Sequence, residues 1–150
     1  MRVLLVHPGA LMYSELFLRL EPLGLERVAA ALLAEGHQVR LLDLQVCRRD
    51  DYLQMLWEFR PESVMFSVNY LANVPEVIEL AQHARRMFPD CLVVVGGHSV
   101  SFIAEHLLAQ CDGAVDVVAR GEGEVAAPRI LAAGRDSLHE VPGGEAAQPG

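Results

Sequence analysis

Glycines, a hydroxyl, an amide and two imidazoles stand where short apolar runs end, and these residue types admit and hold a polar ligand. Gly96-Gly97-His98 follows the run Cys91 to Val95. Two residues without Cβ let a ligand come close to the backbone, or make a plain tight turn. His98 beside them is a local hydrogen-bonding residue or a metal donor. Ser67, Val68, Asn69 and Tyr70 end another apolar run. They offer a hydroxyl, an amide and an aromatic edge, groups equally used for capping and turns. Gly121-Glu122-Gly123-Glu124-Val125-Ala126 has the form G-x-G-x-x-G/A of a dinucleotide site. That fingerprint belongs to a first β-α unit, with an acidic residue closing the next strand, and no strand is expected after it here. Nicotinamide binding is therefore not expected, although the glycines suit a crevice for another nucleotide. His7-Pro8-Gly9 opens a first loop that is unusually long.

What is missing narrows the chemistry further. All 12 basic residues are arginines, which excludes a Walker A loop, a Schiff-base lysine and the lysine of a receiver phosphorylation site. Cys47, Cys91 and Cys111 lie too far apart in sequence for a zinc or iron-sulfur grouping and read as packed thiols. With a net charge of -8 and Arg48-Arg49 and Arg85-Arg86 as the adjacent basic pairs, no nucleic-acid surface is expected.

The elements that must position these groups follow from periodicity. Apolar runs at Arg2 to Val6, Gln38 to Asp43, Ser63 to Val68, Cys91 to Val95 and Val115 to Ala119 are continuous rather than alternating, as in strands buried on both faces. Between them, Leu25, Val28, Ala29 and Leu32 keep helical spacing up to Gly36, and Asp51 to Phe59 is a shorter amphipathic stretch. A third helix opens with Asn73 as N-cap, Pro75 in its first turn and Glu76 as a capping-box partner, burying Val77, Ala81, Ala84 and Phe88. Two more are expected at about 101–110 and 124–133. Strict β-α alternation predicts an α/β, flavodoxin-like (Rossmann-like) parallel sheet of five strands in the order 2-1-3-4-5, with helices on both faces. The crevice is then expected at the carboxyl ends of strands one and three.

The first loop carries Leu11, Met12, Tyr13, Leu16, Phe17, Leu18 and Leu20. So much apolar surface fits a lid over a flat cofactor, a contact with a further domain or with a second copy, or a short helix packed on the domain's own core. From Gly134 the composition turns to Gly, Pro, Ala and Glu without periodicity. Residues 1–134 are accordingly expected to form the folded domain and 135–150 a linker toward an absent domain. The longest uncharged run, Cys91 to Ala104, is too short for a bilayer span, and Met1 to Val6 lacks the length of a signal peptide. A cytoplasmic protein is expected.

Taken together, Pro22-Leu23-Gly24-Leu25-Glu26-Arg27-Val28-Ala29-Ala30, Gly36-His37-Gln38-Val39-Arg40-Leu41-Leu42-Asp43, Ser67, Val94-Val95-Gly96-Gly97-His98 and Arg120-Gly121-Glu122-Gly123-Glu124 resemble the cobalamin (vitamin B12)-binding amino-terminal domain of radical S-adenosylmethionine enzymes. A narrower similarity, to the hopanoid C-3 methylase group, runs through Leu11-Met12-Tyr13-Ser14-Glu15 and Ser67-Val68-Asn69-Tyr70-Leu71-Ala72-Asn73-Val74-Pro75. The resemblance implies a cobalamin whose nucleotide tail enters the crevice near Ser67, Gly96, Gly97 and Gly121-Glu122-Gly123. The corrin then lies across the top, where His7, Pro8, Gly9, Val68, Asn69, Tyr70 and His98 complete the cofactor-binding set. It also implies a following barrel domain with a C-x-x-x-C-x-x-C motif, a 4Fe-4S cluster and S-adenosylmethionine. There a methyl group passes to a triterpenoid lipid, and the full-length enzyme is open to membrane association.

The sequence departs from that family in two places. It holds no cysteine triad, so these residues bind a cofactor and do not catalyse the radical step; no catalytic residue is expected. The D-x-H-x-x-G motif of other cobalamin domains is absent as well, so no protein ligand to cobalt is expected, His7 being the nearest candidate. On this reading Gly97→Val weakens cofactor retention and leaves the melting behaviour nearly intact. The competing expectation is a non-catalytic regulatory or interaction domain that takes another nucleotide-like ligand.

Overall fold

Four successive residues of the first strand, β1 (Arg2–His7), explain the layering. Leu4 and Val6 belong to one apolar cluster and Val3 and Leu5 to another, and all four are fully buried. Side chains alternate across a strand, so a run apolar at every position must be covered on both faces. The computed structural model describes residues 1–10 and 20–147. The expected cover or self-association contact of the long first loop falls at 11–19 and lies outside the described residues.

Strands β2 (Gln38–Asp43), β3 (Ser63–Ser67), β4 (Leu92–Gly96), β5 (Val117–Ala119) and β6 (Gly144–Ala146) complete one sheet of order β2-β1-β3-β4-β5-β6. The first five are mutually parallel, as expected, with Val6 level with Phe66 and Ser67 level with Gly96. Helix α1 (Leu23–Ala34) carries the chain from β1 to β2, and α2 (Arg49–Phe59), α3 (Val74–Met87) and α4 (Ala104–Gln110) make the next three crossovers. Because the strand order reverses at β1 while each crossover stays right-handed, α1 falls on one face and the next three helices on the other. Leu25, Val28 and Leu32 of α1 pack with Ala126, Ala127 and Ile130 of α5 (Gly123–Ala133) over Val3, Leu5 and Val94. Tyr52, Leu56, Val77, Leu80 and Leu107 fill the opposite face.

The sheet has six strands rather than five, and the sixth lies in the segment expected to be a linker. A 3-10 turn at Arg135–Glu140 buries Leu138, Val141 is buried after it, and β6 then pairs antiparallel with β5. Asp116 anchors this return. Its carboxylate accepts from the Val93 N–H at 2.7 Å, from Arg85 at 2.6 Å and from Arg135 Nε at 2.9 Å, and its carbonyl accepts from the Ala147 N–H. A three-residue strand needs no periodicity, because the free edge of β5 already supplies its hydrogen-bonding partners. That is why composition alone read 135–147 as unstructured.

Candidate functional site

Three parallel strands end side by side at Ser67, Gly96 and Ala119, and above them the first turns of α1 and α5 face each other. Between these walls opens a cleft of about 390 Å³, lined by Ser67, Asn69, Gly96, Gly97, His98, Gly121, Glu122 and Gly123, together with Arg27 and Phe102. The crevice expected at the ends of strands one and three is present as a smaller cavity beside His7 and Asn69. The larger cleft runs from β3 to β5, under the amino-terminal ends of α1 and α5, which share a face of the sheet. An ion pair between Arg27 and Glu124 links the two helices at the rim.

The glycines serve different ends. A Cβ on Gly96 would meet only Ala119, at 3.7 Å, and one on Gly121 would meet nothing within 4 Å. Both therefore leave room in the cleft, although Gly121, with φ of +84°, also holds a backbone conformation that favours glycine. Gly97 is otherwise: with φ of +116°, a Cβ there would sit 2.4 Å from the Val68 carbonyl oxygen and 2.7 Å from the Val68 nitrogen. The fold itself requires that glycine, which corrects the expectation that Gly97→Val would spare stability. Val68 is wholly buried, and its N–H donates to the Gly96 carbonyl at 2.7 Å. Its part in the site is thus backbone support beneath the loop. A Cβ on Gly123 would press on Val28 of α1 at 2.9 Å, so this glycine sets the helix-helix approach.

The hydroxyl of Ser67 and the side-chain amide of Asn69 have no hydrogen-bond partner among the described residues and line the cleft. The Asn69 carbonyl accepts from Ser99 Oγ, which ties the β3 and β4 loops together. His98 stands exposed, edge-on to Phe102 with ring centroids 5.7 Å apart. Phe102 is itself 79% exposed, an aromatic surface at the cleft that sequence reasoning did not single out. Among the described residues no three His, Cys, Asp or Glu side chains converge as for a metal ion. Burial pushes the Cys91 thiol up to about 12, as suits a packed and inert cysteine.

His7 and Gly9 are not in this cleft. They line a neighbouring cavity of about 200 Å³ together with Tyr70, Asn73, Gln45 and the segment 20–24, and the two spaces share only Gly24 and Asn69. Pro8 is buried and borders neither space; its carbonyl accepts from His7 Nδ1 at 2.9 Å. Asn73 does not cap α3. It sits in helical backbone, φ -84°, at the end of a 3-10 turn, whereas a capping Asn needs the extended region. Its side chain, 4% exposed, donates instead to the Gly9 carbonyl at 3.0 Å and to Glu76, while the Gly9 N–H donates to Glu76 at 3.0 Å. The N-x-x-E spacing was visible in the sequence, but the partner it clamps lies 64 residues away. A similar device holds the far side of the loop: the Gln45 amide donates to the Leu20 carbonyl and to Asp43.

Comparison with known proteins adds five findings. The family model described as "B12 binding domain" matches residues 11–131. Hopanoid C-3 methylase of Methylococcus capsulatus is 53% identical over the whole of this chain, which covers 30% of that protein. Anaerobic magnesium-protoporphyrin IX monomethyl ester cyclase of Synechocystis is 27% identical over 95% of the chain and again matches over 30% of its own length. Among solved structures, the cobalamin-dependent S-adenosylmethionine radical enzyme OxsB with aqua-cobalamin bound superposes with a TM-score of 0.77 at 22% identity, covering 98% of this chain and 21% of that one. A cobalamin-binding protein from Desulfitobacterium hafniense gives 0.62 at 17% identity, covering 83% and 54% respectively. These two likenesses concern the fold. The chain thus spans about 30% of the length of the curated relatives it matches.

Proposed function

This chain belongs to the B12 binding domain family, and from that premise we propose that its cleft takes the nucleotide tail of cobalamin, as the cofactor-binding module of a radical S-adenosylmethionine methylase that acts on a hopanoid. One observation carries the cofactor reading: the space between the strand ends is kept open by Gly96 and Gly121, at which an added Cβ would meet no obstructing atoms of the protein. Ser67 and Asn69 bring uncommitted polar groups to that space, where a heterocycle with ribose and phosphate needs hydrogen-bond partners. The amino termini of α1 and α5 both meet the cleft, and the free N–H groups of such ends favour a phosphate. His98 and Phe102 offer an apolar shoulder on the open side. His7, Gly9 and Tyr70 line the neighbouring cavity, and the buried Pro8 and Val68 support the loops from beneath.

When bound, cobalamin supplies a cobalt-borne methyl group. The residues of this chain bind and orient that cofactor. The 4Fe-4S cluster and S-adenosylmethionine of the whole enzyme belong to a radical domain outside residues 1–150, since Cys47, Cys91 and Cys111 do not form the required triad. The hopanoid assignment is supported by the 53% identity across the chain. No helix among the described residues is long and apolar enough to cross a membrane.

The test is reconstitution of the 150-residue chain with hydroxocobalamin followed by gel filtration. Near-stoichiometric co-elution of the corrin absorption is expected. A protein peak without visible absorption overturns the reading. The lipid assignment is tested by mass spectrometry of hopanoids from cells that express the full-length protein, where a methylated product is expected and an unchanged profile refutes it.

A further inference from the structure

The smaller cavity has a chemistry of its own. At its wall, His7 Nδ1 lies 2.9 Å from the Pro8 carbonyl oxygen and 3.6 Å from Asp43 Oδ1. Both neighbours only accept, so a proton is needed on Nδ1, and in that tautomer Nε2 presents its lone pair to the cavity. Nε2 has no partner among the described residues. The wall is rigid: Asn73 and Glu76 hold the Gly9 peptide from both sides, and Gln45 holds Leu20. Hydrogen-bonded supports of this kind fix a first contact within fractions of an ångström.

What such a pocket accepts follows from its charges. Asp43 backs the imidazole and Glu21 lines the cavity, so an anion meets two carboxylates and a lone pair. A cation would leave the neighbouring donors idle: the Asn69 amide and the Tyr70 hydroxyl both line the same space. A neutral group that carries both donor and acceptor satisfies all three, its N–H to His7 Nε2 and its C=O toward Asn69 or Tyr70. The cavity adjoins the cleft through Gly24 and Asn69.

We propose that this second cavity binds a primary carboxamide at the rim of the corrin ring, with His7 as its acceptor, and that His7 faces the ring's periphery rather than its cobalt. The inference rests on the cobalamin reading given above and deepens it. It assigns a specificity role: a peripheral amide is told from a carboxylate.

The experiment compares hydroxocobalamin with its monocarboxylate derivatives, in each of which one peripheral carboxamide is hydrolysed to the acid, by equilibrium titration of the 150-residue chain. One monoacid is expected to bind the unaltered chain at least about tenfold more weakly, the cost of facing an acceptor with an acceptor. His7→Ala should weaken hydroxocobalamin about five- to tenfold and shrink that discrimination, while His7→Gln, which restores a neutral acceptor, should recover most of both. Equal affinities for all derivatives in the unaltered chain, or His7→Ala binding each of them as the unaltered chain does, overturns the proposal while the cobalamin reading stands. Loss of a histidine nitrogen splitting from the cob(II)alamin electron paramagnetic resonance signal on His7→Ala also overturns it, since it would place His7 on the metal. Failure of the unaltered chain to retain any corrinoid takes down both readings. Thermal melts of the apo variants separate these losses from unfolding.

Discussion

Gly96 and Gly97 are adjacent, yet the structure gives them opposite jobs, and substituting each by alanine separates them. At Gly97 the backbone φ of +116° is a region that L side chains rarely adopt; holding a non-glycine residue there costs about 1–3 kcal/mol. The new Cβ would also stand 2.4 Å from the Val68 carbonyl oxygen, with Val68 fully buried and bonded to Gly96 through its own N–H. Backbone cannot rotate aside as a flexible side chain can, so the collision adds about 1–3 kcal/mol of overpacking. Gly97→Ala is thus expected to lose about 2–6 kcal/mol out of the roughly 5–15 kcal/mol typical of a domain. With a urea dependence near 2 kcal/mol/M, the unfolding midpoint of the apo chain should fall by roughly 2 M. Gly96→Ala meets only Ala119 at 3.7 Å, an ordinary contact, and should move the midpoint by less than about 0.5 M while it narrows the cleft and weakens cobalamin retention. A Gly97→Ala midpoint equal to or above that of Gly96→Ala would refute the argument, and with it the reading of Val68 as the loop's support.

Removing residues 135–150 should expose Leu138, Val141 and the edge of β5, lowering stability by about 3–6 kcal/mol at roughly 1.5–3 kcal/mol per buried side chain; urea unfolding that matches the complete chain would show the return strand to be dispensable. Asp116→Ala leaves Arg85 and Arg135 without their shared carboxylate. A loss of about 3 kcal/mol is expected from the partly buried Arg85 side, and a fluorescence unfolding curve unchanged from the parent would contradict it. Burial raises the Cys91 thiol in the folded state from 9.0 to about 12. The native protein therefore keeps a proton that the unfolded chain gives up, and the Cys91 contribution to stability should be constant below about pH 9 and fall between pH 9 and 12 by up to about 1.4 kcal/mol per pH unit. Melting that rises over that range in Cys91-intact protein but not in Cys91→Ala would reverse the sign. Ellman's reagent at pH 8 should titrate Cys47 and leave Cys91 and Cys111, both buried and out of its reach, unreacted unless urea is added.

Most of the scaffold was legible in the residues because the parallel sheet writes itself as continuous apolar runs: β1, β2, β3 and β4 lie within a residue or two of the expected spans, and α1 and α5 follow their spacing and glycine stops. β5 begins at Val117 rather than Val115, since Asp116 turns its carboxylate inward to Val93 and the two arginines. Ser67, Gly96, Gly121 and His98 were found by their places after strands, and the structure gathers them around one cleft. His7 and Gly9 were found by the same rule but open a different space. Arg27 and Phe102 were missed, because a charge on a helix and an aromatic in a loop carry no signal until their elements are packed.

The amino-acid sequence by itself determined the layers, the strand order and the loops where a ligand must come, because periodicity and punctuation by glycine act over neighbouring residues. Tertiary structure alone decided three things: which glycines serve the ligand and which the fold, that Asn73 and Glu76 clamp Gly9 instead of capping their own helix, and that residues 135–147 close the sheet edge. Each depends on atoms brought together from distant parts of the chain, and no local pattern encodes a distance between segments that meet only after folding.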